Sequence, residues 1–113
     1  LFAAGDLFLI PSRYEPCGLT DYIAQLLGAL PVVHHVGGLV KVVDGETGFA
    51  YHGETSAAFS AAIQRALTVY GHEPEHFQQM QRMAVERIVS HYTWEQVMKS
   101  YVSLYQQALL QCR

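Results

Sequence analysis

The feature that most constrains this chain is a pair of short apolar runs with a single helical stretch between them. Leu7 to Ile10 is a continuous apolar run closed by Pro11, and "LPVVHH", residues 30–35, is a second one. Runs this short, bounded by proline and glycine, read as buried strands rather than helices. Between them Leu19, Tyr22, Ile23, Leu26 and Leu27 recur at helical spacing, and Gly28 ends the pattern. "VVDGETGFAY" then carries two turn signals, Asp44-Gly45 and Thr47-Gly48, ahead of a third short strand. Strand, helix, strand with short links is a parallel α/β arrangement, because only a crossover element brings a strand back parallel to its predecessor. The expectation is a small parallel sheet of about three strands, roughly half of a doubly wound, Rossmann-like domain.

From Glu54 onward the periodicity is purely helical. Phe59, Ile63, Ala66, Leu67 and Tyr70 form one stripe, with Gly71 as its expected stop. Pro74 suits a first helical turn and Glu75 the positive end of the helix dipole. Phe77, Met80, Ala84 and Ile88 follow on one face. Thr93-Trp94-Glu95-Gln96 has the form of a capping box. It opens a last helix with Trp94, Val97, Met98, Tyr101, Leu104, Tyr105 and Ala108 on its apolar side. These stripes read as core or inter-helix packing. The division expected is a β/α part over residues 1–53 and a helical tail over 54–113.

Charge and composition exclude several classes. A net charge of -3 gives no electrostatic reason to expect nucleic acid as a partner. No apolar run reaches membrane-spanning length, and none reads as a signal peptide. Two cysteines, Cys17 and Cys112, are too few for a disulfide framework, and there is no asparagine to glycosylate. The balance favours a reducing, cytosolic setting. The chain begins "LFAAGD", which reads as the last turn of a helix stopped at Gly5 and carries no initiator methionine. It is therefore expected to be the C-terminal part of something longer.

The stretch "SRYEPCGLT", residues 12–20, lies between the first strand and the helix. A strand, a glycine-bearing loop and a helix N-terminus form the usual geometry for holding phosphate: the amides of Gly18, Leu19 and Thr20 face outward and the helix dipole adds attraction. Gly18 lets backbone approach a ligand. Glu15 would repel a phosphate, so it suits sugar hydroxyls or positive charge developing beside a phosphate leaving group. The same spacing also fits a surface acid on an ordinary βα loop. Ser12 and Arg13 could touch ligand, although Arg13 suits a surface ion pair equally well. His34 and His35 end a strand and face opposite sides, which is poor placement for one metal ion. His52, His72, His76 and His91 are scattered, so no metal is expected.

"PSRYEPCGLT", then "PVVHHVGGL" and "VVDGETGFAY", resemble the C-terminal domain of retaining GT-B glycosyltransferases, nearest to the bacterial glycogen and plant starch synthase family. That family reads Pro-Ser-Arg-Phe-Glu-Pro-Cys-Gly-Leu-Thr at the loop, and only Tyr14 differs. The resemblance spans about Asp6 to Tyr51. It implies transfer of glucose from a nucleotide sugar, ADP-glucose in the bacterial enzymes, to the 4-hydroxyl of an α-1,4-glucan with retention of configuration. It makes Glu15 the catalytic carboxylate and assigns the backbones of Cys17 and Gly18 to the glucose hydroxyls. Leu19 and Thr20 then hold the diphosphate, with Gly37 and Gly38 as further donor-side candidates. No metal or other cofactor is implied, and the compartment is the bacterial cytoplasm or a plastid stroma.

Departures from the family pattern bear on the substrate. The ribose-binding glutamate of the wider GT-B group, eight positions after the first, is Ile23 here, as it is absent from glycogen and starch synthases. Asp21 replaces a usual Gln, and His34-His35-Val36 replace a usual Arg-Arg-Thr. Two alternatives stay open: a GT-B transferase with another acceptor, and a non-catalytic interaction module. The acceptor domain and the basic diphosphate pair of the family precede this chain's first residue, so the stretch alone is expected to be inactive and to self-associate through uncovered surfaces.

Overall fold

A computed structural model describes residues 2–111. A 3₁₀ turn, Phe2–Ala4, leads into β1 (Leu7–Ile10), α1 (Leu19–Leu26) and β2 (Leu30–His34). A second 3₁₀ turn, Gly37–Lys41, precedes β3 (Phe49–Tyr51), and three helices complete the chain: α2 (Ser56–His72), α3 (Pro74–His91) and α4 (Trp94–Gln111). The sheet order is β1-β2-β3. Leu7 to Ile10 run parallel against Leu30 to Val33, and Val32 to His34 run parallel against Phe49 to Tyr51. The expected parallel sheet is thus the one observed.

Alternation along the strands separates two apolar clusters, as the pleat requires. Leu30, Val32, Phe49 and Tyr51 face Ala62 and Ala66 of α2 and Phe77, Met80 and Ala84 of α3. Ile10, Val33 and Ala50 face Leu39 and Val42, which arrive from the second 3₁₀ turn. Both faces are therefore covered, which is why β2 is buried along its whole length. An ion pair ties the β3 approach to α2: Arg65 donates to both carboxylate oxygens of Asp44 at 3.0 Å and to the Ala50 carbonyl at 2.9 Å.

Several expectations need correcting. Gly71 does not stop α2, which runs one residue further and is closed at Glu73. Among the described residues Thr93 caps α4 through its backbone carbonyl, which accepts from Gln96 and Val97, rather than through its hydroxyl. The α1 stripe faces outward: Leu19, Ile23, Leu26 and Leu27 are exposed, while Asp21, Ala24 and Gln25 are buried. The α4 stripe is not core either, since α4 buries none of its described residues. That helix projects, and the Cα radius of gyration of 16.5 Å exceeds the roughly 13 Å of a compact chain this long. The α3 stripe behaves as expected, with Phe77, Met80, Ala84 and Ile88 all buried. Cys112 lies outside the described residues.

Candidate functional site

The loop between β1 and α1 and the 3₁₀ turn after β2 meet at the carboxyl ends of their strands, the edge where ligands bind in open parallel sheets. Their contact is backbone on backbone. The Gly38 amide donates to the Glu15 carbonyl at 2.7 Å. A Cβ on Gly37 would lie 2.0 Å from that same carbonyl oxygen, and one on Gly38 would lie 2.2 Å from the Cys17 carbonyl oxygen. Only glycine fits at either position. Gly37 and Gly38 thus support the loop from beneath.

Within the loop, the Gly18 amide donates to Oε1 of Glu15 at 3.0 Å. This folds the half-buried Glu15 side chain back onto the mouth of α1 and fixes its orientation. Gly18 is the N-cap of α1 and sits at φ 70°, the left-handed region that favours glycine. Leu19 and Thr20 open the helix, where amides have no carbonyl one turn earlier to bond, and both are exposed. Cys17 is exposed and unpaired in a disulfide. The structure therefore brings together Glu15, Cys17, Gly18, Leu19, Thr20, Gly37 and Gly38.

Ser12 and Arg13 stand apart from that group. The Ser12 carbonyl accepts from His34 Nδ1 at 2.9 Å, and Arg13 lines a small cleft with His34, Tyr51, Glu54 and Thr55. His34 is buried and stacks on Tyr51 with ring centroids 5.2 Å apart, so it braces the loop's root. His35 turns the other way and meets His52 edge-on at 4.9 Å. Among the described residues no group of three or more His, Cys, Asp or Glu side chains converges on a point.

One member of the site escaped the sequence reading. Lys41, at the end of the second 3₁₀ turn, donates to the carbonyls of Cys17 and Gly18, each at 2.5 Å. Its ammonium also lies 3.2 Å from Oδ1 of Asp21 and 3.7 Å from the centroid of the Tyr22 ring. Asp21 is fully buried, and neither of its carboxylate oxygens makes a well-aligned hydrogen bond. Burial pushes its carboxyl above the usual carboxylate range, against the opposing pull of Lys41. Burial likewise raises the Tyr22 hydroxyl well above its ordinary value, with Tyr92 packed at 5.3 Å on its ring. Nothing in "GGLVKVV" marks Lys41 in advance, because its partners lie 19 to 24 residues earlier.

An open groove of about 770 Å³ lies elsewhere, between α1 and α3, lined by Leu26, Leu27, Gln81, Val85 and Val89. It is mostly apolar, with Gln78, Arg82 and Glu86 also on its wall, and it carries none of the residues gathered at the loop.

Comparison with known proteins bears on this geometry. The family model described as "Glycosyl transferases group 1" matches residues 1–69. The chain is 39% identical over 116 residues to a glycogen synthase of Streptococcus gordonii, covering 96% of this chain and 24% of that protein. A glycogen synthase of Pseudomonas syringae is 39% identical over 110 residues, covering 96% of this chain and 22% of that protein. Among solved structures, the catalytic domain of starch synthase IV from Arabidopsis thaliana, bound to ADP and acarbose, superposes with a TM-score of 0.78 at 31% identity. That match covers 94% of this chain and 23% of the other. Sucrose-phosphate synthase from Thermosynechococcus elongatus gives a TM-score of 0.76 at 29% identity, covering 97% of this chain and 27% of the other. The chain spans about a quarter of the length of the curated relatives it matches.

Proposed function

The chain belongs to the group 1 glycosyl transferases, and on that premise we propose that it forms the donor-binding part of a glycogen or starch synthase-like enzyme. Its three-stranded parallel sheet is of the kind found in GT-B glycosyltransferases. The proposed reaction moves glucose from a nucleotide sugar, ADP-glucose, to the 4-hydroxyl of an α-1,4-glucan with retention. The observation that carries this reading is the Glu15 carboxylate held by the Gly18 amide at the mouth of α1. The arrangement sets an acid beside a phosphate-binding helix terminus, as a glycosyl donor requires at its sugar and diphosphate ends.

Each residue then has a task. Leu19 and Thr20 present helix N-terminal amides to the diphosphate, whose leaving charge they stabilise together with the helix dipole. The backbones of Cys17 and Gly18 meet the glucose hydroxyls. Glu15 offers its second carboxylate oxygen to the sugar, where positive charge builds as the bond to phosphate breaks. Gly37 and Gly38 hold this loop in place. Ser12, whose carbonyl accepts from His34, and Arg13, which lines the neighbouring cleft, are assigned no contact with the donor. No metal or other cofactor is assigned to the site.

The relatives named glycogen synthase and the neighbour that holds ADP and acarbose support the choice of donor and acceptor. A transferase with the same donor site and another acceptor is the second reading, supported by the likeness to a sucrose-phosphate synthase. No helix among the described residues is long and apolar enough to cross a membrane. A bacterial cytoplasm or a plastid stroma is the proposed compartment.

The test is a transfer assay on the full-length protein that carries this chain. ADP-glucose and UDP-glucose are offered with glycogen or with fructose 6-phosphate, and the anomeric configuration of the product is read by NMR. Elongation of glycogen from ADP-glucose with an α-linkage is expected. Transfer to fructose 6-phosphate alone would select the second reading, and no transfer to any acceptor would defeat both.

A further inference from the structure

We propose that Lys41 is a positioning residue for the donor loop, acting on Glu15 and on the phosphate-binding amides through two peptide planes; the catalytic half of this inference rests on the function proposed above. A trans peptide is planar, so its carbonyl and its N–H point in opposite directions and turn together. The carbonyl of Cys17 shares a plane with the Gly18 amide, and that of Gly18 shares one with the Leu19 amide. Lys41 grips both carbonyls. Holding the first plane aims the Gly18 amide at Oε1 of Glu15, 3.0 Å away. Holding the second aims the Leu19 amide away from Lys41, towards the open mouth of α1.

The grip itself is fixed. The Lys41 side chain is 11% exposed. Two of its three N–H bonds are committed to the carbonyls, and the ammonium is flanked by Asp21 Oδ1 at 3.2 Å and the Tyr22 ring at 3.7 Å. Asp21 lies in the first turn of α1, where an unneutralised carboxylate would repel a diphosphate. The ammonium cancels that charge from below and leaves the helix terminus free to attract an anion. Lys41 thus gives Asp21 a role consistent with phosphate binding, and it touches neither sugar nor phosphate in doing so.

The experiment compares the full-length wild type with Lys41→Met and with the double variant Lys41→Met/Asp21→Asn. The single variant leaves a buried carboxylate without its counter-charge and is expected to lose thermal stability. The double variant removes both charges and is expected to regain it. If Lys41 positions the loop, the folded double variant still loses about tenfold or more in kcat with ADP-glucose, while the KM for glycogen stays unchanged. The Gly18 amide, no longer oriented from beneath, exchanges with solvent about tenfold faster. Full turnover, or unchanged exchange at Gly18, in a folded double variant overturns the inference. Should the wild type transfer no glucose, the proposed reaction fails, and the exchange measurement alone decides whether Lys41 orients the loop.

Discussion

Gly38 donates its amide to the Glu15 carbonyl at 2.7 Å, so the backbone that carries the candidate catalytic acid rests directly on a glycine. The Cβ of any other residue at position 38 would lie 2.2 Å from the Cys17 carbonyl oxygen, and that obstacle is backbone rather than a side chain able to rotate away. Gly38→Ala is expected to destabilise the fold by about 2–3 kcal/mol, or to displace the loop with loss of donor affinity. Urea unfolding alongside donor titration checks this; an alanine variant with wild-type stability and wild-type affinity would contradict the contact.

Glu15→Ala in the full-length enzyme is expected to lower kcat by about two orders of magnitude, and donor affinity by much less. A carboxylate that answers charge developed in the transition state acts on the rate more than on the ground state. Turnover unchanged in a folded variant would remove Glu15 from the chemistry.

Cys17→Ser is expected to change kcat/KM by about threefold or less, because the role proposed for Cys17 uses its backbone and its small size. Its carbonyl is held by Lys41 and its thiol is exposed without a disulfide partner. Abolished activity in a folded Ser variant would point instead to thiol chemistry.

The Asp44–Arg65 pair makes a pH prediction. Burial alone would raise the Asp44 carboxyl, but hydrogen bonds from Arg65 and the Ala50 amide hold it below its ordinary value of 3.8. A depressed folded-state pKa stabilises the protein above the unfolded value, and that contribution is lost as pH falls through the folded one. Both side chains are about half exposed, at 47% and 48%, so the effect is expected to stay below about 1 kcal/mol. Asp44→Asn should therefore unfold at lower urea than wild type at pH 7, with the gap closing as pH falls below the ordinary value of 3.8. A gap that widened on acidification would reverse the sign.

The 113-residue chain by itself is expected to self-associate. Leu104, Tyr105, Leu109 and Leu110 on α4 are each more than half exposed, as are Leu19, Leu26 and Leu27 on α1. Exposed apolar surface of this extent favours association. Light scattering from micromolar to millimolar concentration should show oligomers, and Leu104→Lys with Leu109→Lys should shift them towards monomer. A strictly monomeric wild type would refute the expectation.

How far these residues could be read from sequence depended on whether the decisive contact was local. The sheet was legible because Pro11 and Gly28 bound runs too short to be helices, and one crossover leaves few topologies. The helix mouth after Gly18 was legible for the same reason, since loop, glycine and helix are consecutive. The facing of α1 was not: Leu19, Ile23, Leu26 and Leu27 make a regular stripe, yet the buried side carries Asp21 and Gln25. Periodicity reports that a helix has an apolar face without saying what covers it. Asp21 sits inside because Lys41 meets it there, and Gln25 because its side-chain amide bonds the Asp21 carbonyl at 3.1 Å. The Lys41–Asp21 partnership, across 20 residues, leaves no trace in local spacing.

The tight seating of Gly37 and Gly38 against the Glu15–Cys17 backbone has a consequence for mutational tolerance. Two stretches more than 20 positions apart in the chain behave as one inheritance unit. A substitution at either glycine is compatible only with a rearranged or shortened acid loop, and an insertion between Glu15 and Gly18 has nowhere to go while both glycines remain. Variation in the two stretches must arise together or be purged together. A library randomising only one of them would recover the wild-type glycines almost without exception, whereas randomising both at once could open a differently shaped loop on the same sheet edge.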